Sequence, residues 1–85
     1  MKLSIIPEDN SIVKEGNGLL FSNNLNDYLS TNIPSDVHAL QWNENSGEIE
    51  YVERGRENET ISALPDWATE CSDLHTTTIA AQANT

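Results

Sequence analysis

Positive charge is scarce in this sequence: four Lys plus Arg stand against fourteen Asp plus Glu, a formal net charge of −10. The phosphate backbone of nucleic acid and an anionic membrane surface both repel such a chain, so direct binding to either is not expected. Cysteine is nearly absent. The lone Cys71 cannot close an internal disulfide, which fits a reducing compartment such as a cytoplasm. No run approaches the roughly 20 apolar residues of a membrane-spanning helix. The opening "MKLSIIPEDN" breaks at Pro7 and two acids, short of the apolar core of a secretory leader. A soluble protein without a cleaved leader is the expectation.

Apolar residues are sparse as well, at 36% of 85 residues with five aromatics among them. A chain of this length buries only about two-thirds of the surface its unfolded form exposes. One small core is therefore expected, in a single α+β domain over residues 1–76, with 77–85 as a loosely ordered tail. A partner or self-association would help to complete so small a core. The acids are scattered instead of blocked, which fits either a solvated surface or an acidic face for a basic partner, phosphate mimicry included.

What is present has a readable order. Leu3, Ile5 and Ile6, then "PEDN", then Ile12 and Val13 predict two strands around a turn, because Pro, Asp and Asn supply turn geometry. "GNG" at Gly16 to Gly18 predicts a second turn and "LLFS" a further strand. "NNLNDYLSTN" predicts an irregular connection or one helical turn, since Asn, Ser and Asp compete for backbone hydrogen bonds. Leu25, Tyr28 and Leu29 would pin it to the core.

In "IPSDVHALQW", Pro34 holds Ile33 extended, and "VHALQW", "NENSG" and "EIEYVE" predict a second hairpin. With Asn45 and Ser46 at its tip, Trp42 faces Ile49, Leu40 faces Tyr51 and His38 faces Glu53. Alternation then places Leu40, Trp42, Ile49 and Tyr51 on one apolar face. Ala39, Gln41, Glu48 and Glu50 fall on the other, with Val37 and Val52 as apolar exceptions. "RGRENET" reads as an exposed connection. Leu64, Trp67, Ala68, Cys71 and Leu74 recur at helical spacing, with Pro65 in the first turn and Ser62 or Leu64 as the cap. After His75, "TTT" weakens the helix by β-branching, although Ile79 and Ala80 could extend the stripe. The fold expected is a small antiparallel sheet of two hairpins plus an extra strand, packed by one C-terminal helix. The core candidates are Leu3, Ile5, Ile12, Val13, Leu20, Leu40, Trp42, Ile49, Tyr51, Leu64, Trp67, Cys71 and Leu74.

Chemistry is thinly represented. His38 could pair with Glu53, but no nucleophile accompanies it, and a surface ion pair or a packing role is the expectation. Cys71 and His75, four apart on the expected helix, fall short of the three or four ligands of a zinc site, so a buried thiol beside an exposed imidazole is expected. The acids around "DWATECSD" lack the spacing of a calcium loop. "NET" at Asn58 to Thr60 matches a glycosylation acceptor, without meaning in a cytoplasm. Glu48 and Glu50 point to one face but have no cleft between them to serve as a glycosidase pair. Trp42 and Trp67 are expected as core anchors, an interface hot spot being the alternative for either. No catalytic, cofactor or metal residue is assigned.

The segments "IPSDVHALQW", "GEIEY", "GRENETI" and "LPDWA" resemble a group of small tailed-bacteriophage proteins, described as uncharacterised, virion or tail-fibre-assembly accessory proteins. The resemblance runs from about Ile33 to Ala68. In that family an alanine-rich helix often follows and ends in another tryptophan; here "TECSDLHTTTIAAQ" stands in its place. The resemblance implies a non-enzymatic interaction protein, in the host cytoplasm during assembly or in the virion, whose partners are other phage structural or tail proteins or a second copy. An edge of the N-terminal hairpin could add to a neighbour's sheet. The alternative is an acidic inhibitor of a host or defence protein that presents Glu44, Glu48, Glu50, Glu53, Glu57 and Glu59 to a basic face.

Overall fold

Tight turns set the registers of the sheet. In the computed structural model, which describes residues 1–30 and 32–83, β1 (Lys2–Ile6) and β2 (Ser11–Lys14) flank a 3-10 turn at Pro7–Asp9. Asn10 closes that turn at φ 51°, its N–H donating to the Pro7 carbonyl at 3.1 Å. This is the hairpin expected from "PEDN". The next turn differs from expectation: its tip is Glu15 (φ 52°) and Gly16 (φ 83°), and Asn17 and Gly18 already belong to β3 (Asn17–Leu20). Two left-handed residues give the two-residue loop whose twist suits a hairpin. Glu15 is anchored there by its carboxylate, which accepts the Lys2 N–H at 2.9 Å.

β4 (Val37–Asn43), β5 (Ser46–Tyr51) and β6 (Glu59–Ile61) complete one antiparallel sheet in the order β3-β2-β1-β4-β5-β6. The architecture is α+β, as expected, but the sheet holds six strands, more than two hairpins and one extra strand provide. The additional strand is β6, from the end of the "RGRENET" connection. Three residues carry no readable alternation, and β6 exists because it pairs with β5, Gly47 opposite Ile61 and Ile49 opposite Glu59.

The β4–β5 hairpin turns at Glu44 (φ 61°) and Asn45, not at Asn45 and Ser46. Leu40 therefore faces Ile49 and Trp42 faces Gly47. The partners move by two residues relative to expectation, and a shift of two keeps every side chain on its expected face. Gly47 is required opposite Trp42: a Cβ there would lie 2.4 Å from the Gln41 carbonyl oxygen and 3.0 Å from the indole. Farther along, the register slips, Val37 pairing with Tyr51 and Ala39 with Glu50, so His38 is the extra residue of a β-bulge. That one residue transfers Val37 from the wet face to the covered face, where it is 7% exposed. Val52 stays exposed.

Helix α1 (Asp66–Ala83) covers the face bearing Leu3, Ile5, Ile12, Leu40, Trp42 and Ile49. Trp67, Ala68 and Cys71 are its buried stripe, with Leu64 and Leu74 packed at the margin. Both tryptophans are thus core anchors. The carbonyl of Pro65 accepts the first helical N–H, from Thr69 at 3.1 Å, so the helix opens at Pro65 and not at Ser62 or Leu64. It continues through the threonines to Ala83, past the expected end at residue 76. The Thr76 and Thr78 hydroxyls donate to the Ser72 (3.2 Å) and Leu74 (2.8 Å) carbonyls, which satisfies them within the helix. Residues 84–85 of the expected tail lie outside the described residues.

The connection between β3 and β4 completes the cover with Leu25, in a 3-10 turn at Leu25–Asp27, and Ile33. Its asparagines replace regular backbone pairing: the Asn10 side-chain oxygen accepts the Leu25 N–H (3.2 Å) and that of Asn26 accepts the Ile33 N–H (2.8 Å). Two core expectations fail. Leu20 is 81% exposed, because it pairs with Ser11 on the uncovered face of the edge strand. Val13 follows Ile12, so alternation sends it to that same face, where it is half-buried. No helix among the described residues is long and apolar enough to cross a membrane.

Leu40→Ala should cost about 2–5 kcal/mol in urea unfolding, whereas Leu20→Ser should stay within about 0.5 kcal/mol. Similar losses at both positions would contradict this distribution of burial.

Candidate interaction surface

The imidazoles and the thiol do not meet. His38, extruded by the bulge, is 46% exposed at its side chain and lies 3.6 Å from a Glu8 carboxylate oxygen instead of facing Glu53. His75 is buried, contrary to the expected exposed imidazole, at 4% exposure. Its Nε2 is 2.7 Å from the Asn17 carbonyl oxygen, and since a carbonyl only accepts, that nitrogen carries the proton. His75 is therefore a tie between α1 and the start of β3. Cys71 lies fully inside the core, and burial, with a smaller contribution from the Glu70 charge, pushes its thiol from 9.0 up to about 12. Among the described residues, no group of three or more His, Cys, Asp and Glu is placed to hold a metal ion.

The six candidate acids do not form one patch. Glu48 and Glu50, on alternate positions of β5, point to the face that α1 leaves open, as expected. Glu59 is opposite Ile49, hence on the other side of the sheet, where its carboxylate accepts the Tyr51 hydroxyl proton. Glu44 sits at the hairpin tip, 3.2 Å from the Met1 amino group. Glu53 and Glu57 belong to the irregular stretch between β5 and β6, where Glu53 is 4.0 Å from Arg56.

Two surfaces stand out in geometry. The first is the outer edge of β3. The Phe21 N–H donates to the Asn10 carbonyl at 2.9 Å, so by antiparallel alternation Asn17 and Leu19 direct their backbone groups at β2. Gly18 and Leu20 direct theirs outward. The strand itself, "NGLL", carries no charge. The opposite edge is three-residue β6, which begins with a charged residue.

The second surface is a cleft of about 400 Å³ between the start of β4, the end of β5 and the N-terminal end of α1. Pro34, Asp36, Tyr51, Glu59, Pro65 and Trp67 are among its walls. Arg56 touches two of these: its guanidinium carbon is 3.6 Å from the Tyr51 ring centroid, and its Nη1 is 2.9 Å from an Asp36 carboxylate oxygen. The hydrogen bond to Glu59 raises the Tyr51 pKa, with further contributions from desolvation and the Glu59 charge. Sequence reasoning missed this cluster, because Asp36, Tyr51 and Arg56 belong to a turn, a strand and a connection. The available signal was scarcity: one of four cations in so acidic a chain will find carboxylates.

Comparison with protein-family models, curated proteins and solved structures returned no match to this chain.

The raised Cys71 pKa has a defined consequence. The neutral thiol is favoured in the folded state, so its contribution to stability is complete below pH 9 and is lost as pH rises towards about 12. At pH 8 a disulfide reagent should label native Cys71 at least about 100-fold more slowly than the urea-unfolded chain. Equal rates would place the thiol outside the core.

Proposed function

We propose that this chain is a non-enzymatic interaction module of a tailed bacteriophage, a small virion or tail component or an accessory of tail-fibre assembly, that docks through the outer edge of β3. The edge carries the docking part of this reading. Gly18 and Leu20 turn their backbone groups outward, in an uncharged strand whose Leu20 is 81% exposed. Edges left like this add a strand from a neighbour: main-chain hydrogen bonds supply affinity, and an apolar side chain supplies register. The phage setting rests on the "IPSDVHALQW", "GEIEY" and "LPDWA" resemblance.

Proline separates this mode from others. Gly18→Pro removes an outward amide and leaves the β2–β3 ladder its own bonds, a substitution that edge strands tolerate. With phage particles as the assay, the wild-type chain should be found at a fixed ratio to tail proteins, or bound to fibre proteins before assembly. Gly18→Pro and Leu20→Lys should each lower that association at least about ten-fold while shifting urea stability by less than about 1 kcal/mol. Full association by both variants would refute edge docking.

The inhibitor reading has its own support in Glu48 and Glu50, which share the open sheet face. It requires an affinity that collapses between low and high salt, whereas strand addition changes little with ionic strength.

A further inference from the structure

The geometry points to a second recognition site: we propose that the Tyr51 ring and the Asp36 carboxylate, at the margin of the cleft, receive an arginine side chain from a basic segment of a partner protein, and that Arg56 holds this place in cis. This goes beyond edge docking and does not depend on it.

The first support is the chemistry that the site already performs. A guanidinium lies 3.6 Å over the Tyr51 ring and reaches the Asp36 carboxylate at 2.9 Å, so one planar cation is read by stacking and by a charge-assisted hydrogen bond together. The Tyr51 hydroxyl donates to Glu59, which fixes the ring and adds electron density to its face. An ammonium group can neither stack nor fork in this way, so the arrangement favours arginine over lysine.

The second support is charge. Asp36 and Glu53 both approach Arg56, and Glu59 is hydrogen-bonded to the hydroxyl of the ring beneath it, so two carboxylates face the guanidinium and a third lies at the far end of the ring. The occupied site remains negative, in a chain of net charge −10, and complements a segment with more than one positive charge. Beyond the carboxylates the cleft continues along Ile61, Pro65 and Trp67, an apolar wall that the guanidinium contacts do not use and that suits the stem of an arginine or its neighbour.

The third support is that the occupant can leave. Arg56 is 40% exposed at its side chain and sits between β5 and β6, one residue after Gly55 at φ 86°, around which a Cβ would meet nothing within 4 Å. Exposed ion pairs of this kind are weakly held. A cis occupant lowers apparent affinity by the fraction of time the site is filled, so removing it should strengthen binding.

The test titrates the full chain with the pentapeptide Ala-Arg-Ala-Arg-Ala and with its lysine counterpart, read by calorimetry and by tryptophan fluorescence. Arg56→Ala should bind the arginine peptide about ten-fold more tightly than wild type. The lysine peptide should bind that variant at least about five-fold more weakly. Asp36→Asn or Tyr51→Leu, added to Arg56→Ala, should abolish the gain, and Gly18→Pro should leave it unchanged, which separates this site from the β3 edge. Arg56→Gln, which keeps the aliphatic stem, repeats the comparison should Arg56→Ala fold poorly. No gain from either Arg56 variant, or equal binding of the two peptides, would show that Arg56 is only a structural clasp.

Discussion

Everything in this molecule depends on the pairing of β1 with β4. Each belongs to its own three-stranded meander, β1-β2-β3 or β4-β5-β6, and this seam alone joins the two into one sheet. Leu3 meets Trp42 and Ile5 meets Leu40 across it, and the Glu44 N–H donates to the Met1 carbonyl at 2.9 Å where it ends. The seam brings four large apolar side chains together under α1, where each contributes about 1.5–3 kcal/mol by leaving water. So small a core depends on that concentration. Spread over two separate hairpins, the same residues would find no common cover.

The parts of the fold that follow from alternation were legible in the sequence. "VHALQW" and "EIEY" showed which side chains share a face, and the spacing of Trp67, Ala68 and Cys71 showed the helix that covers it. Parts fixed by one backbone angle or one distant contact were not legible. A two-residue shift at Glu44 moved the β4–β5 register without changing a face. The bulge at His38 exchanged the environment of Val37, and nothing local announces a bulge. Apolarity alone points Leu20 to the core, and its exposure follows only once Ser11 is known to be its partner. Nothing near His75 in the sequence announces its burial; the Asn17 carbonyl, 58 positions away in the chain, is what makes that burial tolerable. The acids lie at the surface, and their division among a tip, two strands and an irregular connection depends on the folded chain.

The same constraint leaves the periphery for the proposed recognition. With the apolar face spent on α1, the backbone groups left without a ladder are at the two sheet edges, and β3 is the longer and the uncharged one. The chain's few cations are already engaged in part: Lys14 holds the Ser72 carbonyl and the Thr76 hydroxyl, and Arg56 lies on Tyr51. Edge and cleft use different physics. One offers backbone hydrogen bonds that tolerate salt; the other offers charge and an aromatic face that discriminate arginine from lysine.

Amide hydrogen exchange on the isolated protein, resolved residue by residue, tests this most directly. The amides of Leu3, Ile5, Leu40 and Trp42 should exchange only through global unfolding, while those of Gly18 and Leu20 should exchange at rates near those of an unstructured chain. Protection at Gly18 and Leu20 equal to that of the seam, or a seam that opens before the rest, would contradict the account.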